Sequence, residues 1–129
     1  IELPELQPPN PYSNITLSFN HFYIRKVMLV KYATAFIVLP GGLGTLDELT
    51  EVLNLIQTRK IKPFPVILFD GSYWKGFLEW MKDFALARGY ISEEDLTLLR
   101  LCDTIDEVFE AVQKWYWSHE ICGRKAVVK

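Results

Sequence analysis

Three groups of residues have types and spacing that could do chemistry. They are the guanidinium of Arg25, the carboxylate of Glu48, and the glycine turn Pro40-Gly41-Gly42-Leu43-Gly44-Thr45 between them. The turn follows an apolar run, Thr34 to Leu39, that reads as a strand buried on both faces. A helical pattern starts at once, with Leu46, Leu49, Val52, Leu53 and Ile56 on one stripe. A helix aimed this way presents free amide N–H groups and the positive end of its dipole to whatever lies at the strand's carboxyl end. An anion fits there, and glycines let the backbone approach it without a Cβ in the way. The chemistry on offer is an anion cradle with one acid and one cation as candidate neighbours.

Neither of the two commonest phosphate motifs is present. No Lys follows the glycines as a P-loop requires, and position 47 is Asp where the dinucleotide fingerprint needs its third glycine. The glycines alone fit a tight strand-to-helix connection equally well. Glu48 has a structural explanation of its own. Thr45-x-x-Glu48 has the form of a capping box, with Thr45 as N-cap and Glu48 reaching back to the N-cap amide. Arg25 stands between Phe22 and Leu29 on one helix face. A buried unpaired charge is costly, so it needs either an ion-pair partner or an anionic ligand. Lys26, about 100° further round the helix, is a secondary contact. Glu51, one turn beyond Glu48, could support it, although a solvated helix charge explains it too. Asp47 suits a helix N-terminus without any further role.

The elements that must position these groups alternate between strand and helix. Residues 4 to 13 hold four prolines and read as an extended loop. Ile15 to Phe19 reads as a short strand. Asn20 is placed to cap a helix from His21 to Ala33 that is apolar nearly all round, which calls for cover on most sides. After the cradle helix come a strand at Pro65 to Phe69 and a helix at Tyr73 to Arg88. That helix turns in at Asp70-Gly71-Ser72, carries a core stripe of Trp74, Phe77, Leu78, Met81, Phe84 and Ala85, and stops at Gly89. A short helix follows from Ser92, then a strand at Arg100 to Cys102. Thr104 caps a last helix to Trp117, with Val108, Phe109 and Val112 inward. Residues 118 to 129 read as a mobile tail. The pattern predicts one α/β domain over residues 1 to 129, a Rossmann-like, three-layer, doubly wound parallel sheet. Ligands bind such sheets beyond the carboxyl ends of the strands.

Composition narrows the class. The 129 residues are 50% hydrophobic and 23% charged with a formal net charge of −2. That suits a soluble cytoplasmic domain and supplies no basic footprint for nucleic acid or an anionic membrane. No apolar run is long enough to span a bilayer. Cys102 and Cys122 make no metal or redox spacing, so neither a metal nor another cofactor is expected. The chain opens on Ile1-Glu2-Leu3, which reads as the end of a strand already under way, so the domain is expected to be N-terminally truncated and to lack its first strands.

The string from Pro40 to Glu48 matches P-G-G-x-G-T-x-x-E, and Arg25-Lys26 supplies an R-K pair on the preceding helix. Together they resemble the signature of the "Lonely Guy" family of nucleoside 5′-monophosphate phosphoribohydrolases, long labelled "possible lysine decarboxylase". The resemblance runs to about residue 113. It implies hydrolysis of the N-glycosidic bond of an AMP-like or cytokinin riboside monophosphate, releasing the base and ribose 5-phosphate. It implies Arg25 and Glu48 as catalytic residues, and Gly41, Gly42, Leu43, Gly44, Thr45 and Lys26 around the phosphate. Glu51, Gln7 and Asn10 would be supporting contacts, in a homodimer with sites at the subunit interface. Cytokinin-activating members carry M-H-x-R-K, whereas Phe22-Tyr23-Ile24 precede Arg25 here, so AMP is the first substrate to expect. The alternative is a non-catalytic nucleotide or molybdenum-cofactor carrier of the same fold. Decarboxylation would need a Schiff-base lysine and a pyridoxal phosphate pocket, and no residue stands out for either.

Overall fold

Val66, Ile67 and Leu68 have no solvent exposure, and the sheet is built around them. The computed structural model describes residues 10–124, with side chains through Ser118. In order, the elements are α1 (Phe22–Lys31), β1 (Phe36–Val38), α2 (Leu43–Gln57), β2 (Val66–Phe69), α3 (Gly71–Trp80), α4 (Glu93–Leu96), β3 (Leu99–Cys102) and α5 (Ile105–Arg124). The strands form a parallel sheet in the order β1-β2-β3. Phe36 stands opposite Val66, and Phe69 opposite Cys102. Parallel neighbours need a crossover between them, which the intervening helices provide. The α/β class expected from the alternating pattern is therefore observed. The chain divides into two compact units after Ala33, with α1 in the first and the sheet with α2 to α5 in the second.

The middle strand explains the core. Ile67 packs with Cys102 and Ala111, against Val108 and Val112 of α5. Val66 and Leu68 point to the opposite face by strand alternation and are equally buried. The α2 stripe buries Leu49, Val52 and Ile56. Each such side chain contributes about 1.5–3 kcal/mol relative to exposure. Arg59 ends α2 in the left-handed region, with φ 57°. The Lys60 N–H then reaches the Leu55 carbonyl at 2.9 Å, closing carbonyls that the helix end leaves open.

Local signals set the other boundaries. Asp70 caps α3 and accepts from the Ser72 hydroxyl at 2.6 Å and the Tyr73 N–H at 3.3 Å. Gly89, at φ 73°, ends the following helical run. Ser92 and Asp95 form a reciprocal capping box at α4. Thr104 Oγ1 accepts from the Glu107 N–H at 3.2 Å at the start of α5.

Several expectations are corrected. Residues 15–19 form no strand, because alternation makes a strand only where a neighbour completes the ladder. His21, not Asn20, is the N-cap of α1. Strand β1 is shorter than predicted and, among the described residues, pairs with β2 alone; Ile37 on one of its faces is 52% exposed, so the strand is not buried on both faces. The apolar residues of α1 are largely exposed, and Val30 is its one buried residue. Helix α3 passes into a π-helical segment over Met81–Leu86. The wider turn shifts the phase of the stripe and leaves Phe84 exposed. On α5 the inward face is Val108, Ala111 and Val112, so Phe109, about 100° from Val108, faces solvent. Helix α5 also continues to Arg124, past the predicted end at Trp117.

Candidate active site

The cradle forms where β1 ends. Gly42 is the N-cap of α2, and the Leu46 N–H is bonded to its carbonyl at 3.1 Å. Helix geometry therefore leaves the N–H groups of Gly42, Leu43, Gly44 and Thr45 without an intrahelical acceptor, and Gly42 has no side chain to cap them. They lie at the positive end of a 15-residue helix, an arrangement suited to an anion. The glycines differ in what they permit. A Cβ on residue 41 would lie 2.1 Å from Thr45 Oγ1, so only glycine allows the turn to fold against Thr45. At Gly42 and Gly44 a Cβ would meet nothing within 4 Å, so the space beside their backbone is open.

The early start of α2 corrects the capping-box reading. Thr45 occupies the third helical position rather than the N-cap, and Glu48 falls in the second turn. Gly42 can begin the helix because glycine is an acceptable N-cap and nothing in Leu43-Gly44 delays it. Capping thus no longer explains the acid at position 48. Glu48 is half-buried, one turn beyond Gly44 on the same face. Glu51 follows it on that face and is also half-buried, with one carboxylate oxygen out of solvent.

Sequence reasoning missed Tyr73. Its hydroxyl donates to the Gly41 carbonyl at 2.5 Å. The start of α3 that carries it is tied to the end of β3. The Asp70 N–H donates to the Cys102 carbonyl at 3.0 Å, and the Gly71 N–H to Asp103 Oδ1 at 2.6 Å. No spacing rule links positions 41 and 73. The available signal was positional, since both follow parallel strands whose carboxyl ends share one edge.

In the first unit, Arg25 and Lys26 are adjacent and half-buried on α1. Their expected flanks, Phe22 and Leu29, are 55% and 42% exposed, so the apolar stripe is more open than predicted. Asn10 Oδ1 accepts from the Tyr12 N–H at 3.0 Å, which closes its own turn. Gln7 lies outside the described residues.

Other features lie away from the cradle. A cleft of about 540 Å³ opens at the far end of α2, with Arg59, Lys60, Lys62, Glu94 and Asp95 in its lining. Among the described residues no group of three or more His, Cys, Asp or Glu side chains could hold a metal ion. Nor is any described helix long and apolar enough to cross a membrane.

A parallel sheet with a glycine turn and an open helix N-terminus at its carboxyl edge defines an α/β protein in general. Comparison with known proteins narrows this. Residues 1–112 match the family described as "Possible lysine decarboxylase", and the chain belongs to that family. It is 34% identical over 98 residues to the cytokinin riboside 5′-monophosphate phosphoribohydrolase LOG of Oryza sativa subsp. japonica, covering 75% of this chain and 40% of the relative. A phosphoribohydrolase of the same description from Arabidopsis thaliana is 34% identical over 102 residues, covering 78% of this chain and 46% of the relative. One from Mycobacterium marinum is 33% identical over 87 residues, 67% of this chain and 46% of the relative. The chain thus spans less than half the length of each of these relatives. Plant and bacterial relatives stand at nearly the same identity, so similarity alone does not choose a branch.

Proposed function

We propose that the whole protein hydrolyses the N-glycosidic bond of a nucleoside 5′-monophosphate, an AMP-like or cytokinin riboside monophosphate. The observation that carries this is the uncapped N-terminus of α2, set directly on a glycine turn at the carboxyl edge of the sheet. Membership of a family whose relatives bear the phosphoribohydrolase name supports it. In this reading Gly41, Gly42, Leu43, Gly44 and Thr45 hold the 5′-phosphate, and Lys26 is a further phosphate contact. Phosphate binding energy then positions the sugar at the far end of the substrate. The C1′–N bond breaks toward an oxocarbenium-like state, water oxygen bonds to C1′, and the base leaves with a proton. Glu48 stabilises the positive charge at C1′ and orients the water. Arg25 positions the substrate. Glu51, Gln7 and Asn10 are supporting contacts.

The same proposal completes the fold. The sheet would belong to a doubly wound, Rossmann-like fold. The exposed apolar residues of α1 would be covered in a homodimer whose sites lie at the subunit interface, in the cytoplasm. The test is incubation of the full-length protein with a panel of nucleoside monophosphates, assayed for ribose 5-phosphate. Release from at least one of them is expected. Tight retention of a nucleotide without turnover would make the protein a carrier.

A further inference from the structure

The structure assigns Tyr73 as the positioning residue of the cradle: its hydroxyl, bonded to the Gly41 carbonyl, fixes the Gly41–Gly42 peptide so that the cradle amides are aimed at the 5′-phosphate. This deepens the proposed function and rests on it. The argument begins with the peptide itself. A peptide unit is planar and trans, so its C=O and N–H point in opposite directions. Holding the Gly41 oxygen from one side therefore fixes where the Gly42 N–H points on the other. That N–H is the first of the four unsatisfied donors of α2.

Glycine needs such holding. Gly41 and Gly42, which flank this peptide, have no Cβ to restrict their backbone, so the peptide between them rotates easily unless it is held. Two contacts restrain it here. Thr45 packs where a Cβ of residue 41 would stand, and Tyr73 takes the carbonyl. Tyr73 is itself fixed from below. Asp70 caps its helix, the Asp70 N–H is bonded to Cys102, and the Gly71 N–H to Asp103. Its ring stands edge-on against buried Trp74, with centroids 5.0 Å apart. A chain of contacts thus runs from the end of β3 through the start of α3 to the cradle. Donors held ready before the ligand arrives cost no reorganisation on binding.

Tyr73→Phe is the test, since it keeps the ring and removes only the donor. The full-length wild type and the variant are titrated with AMP and with adenosine, and the Gly42 amide is followed by NMR. The wild type is expected to prefer AMP. The variant should lose about tenfold of that preference, in line with one hydrogen bond, with adenosine binding unchanged and the Gly42 resonance shifted before any ligand is added. A variant that keeps the whole AMP preference, or an unmoved Gly42 resonance, overturns the assignment while leaving the nucleotide reading in place. A wild type with no preference for AMP overturns both.

Discussion

Thr45 occupies the space that a side chain on residue 41 would need: its Oγ1 lies 2.1 Å, and its Cβ 2.8 Å, from the position of an added Cβ. Gly41→Ala must therefore displace the turn, at a cost of about 1–3 kcal/mol for overpacking. It should weaken nucleotide binding at least tenfold. Gly44→Ala meets no neighbour and should stabilise α2 by up to about 1 kcal/mol on helix propensity. Thermal melts of both variants separate the two effects. If Gly44→Ala melts higher yet binds AMP more weakly, the open space beside residue 44 belongs to the ligand.

Trp74 is 1% exposed, and its indole N–H has no hydrogen-bond partner among the described residues. Trp74→Ala should lose about 3–5 kcal/mol as a large core truncation. Trp74→Phe keeps much of the packing and removes the unsatisfied donor, whose burial alone costs about 1–3 kcal/mol. It should therefore lose far less than the alanine variant, and urea unfolding of the pair checks this.

Glu107 holds the entry to α5. Its carboxylate accepts from the Asp103 N–H at 2.7 Å and the Thr104 N–H at 3.2 Å. The Asp103 bond and then the Thr104 bond lower its pKa from the ordinary glutamate value, with a smaller contribution from the charge of Arg100. A carboxyl group whose folded pKa is lowered adds stability above its unfolded pKa and loses it as pH falls through the folded value. Glu107→Gln should therefore melt below wild type at pH 7. The gap should close below about pH 4, where glutamate protonates. A gap that is constant from pH 7 to pH 3 would show that the ionised form is not what matters.

Much of this fold was legible in the residues. The apolar run of β2, the α2 stripe, the capping box at Ser92 and Gly89 as a stop are local signals, and each element formed where its signal lay. What was not legible depended on neighbours. Strand β1 reads as doubly buried because Phe36, Ile37 and Val38 are all apolar, yet whether a face is buried depends on what packs over it, and Ile37 is 52% exposed. Thr45-x-x-Glu48 has the letters of a capping box, but the helix began at Leu43 because Gly42 capped first. Tyr73 touches Gly41 across 32 residues, a contact made by two strands lying side by side and by nothing in either local sequence.

Glu48 gives the most direct test of the catalytic reading. Ribose 5-phosphate release from AMP should be followed in the full-length wild type and in Glu48→Gln, with AMP binding measured in parallel. Turnover is predicted to fall by orders of magnitude in the variant while AMP still binds. Equal turnover in the two proteins would contradict a catalytic role for this carboxylate and would leave the α2 cradle as an anion site without the chemistry assigned to it.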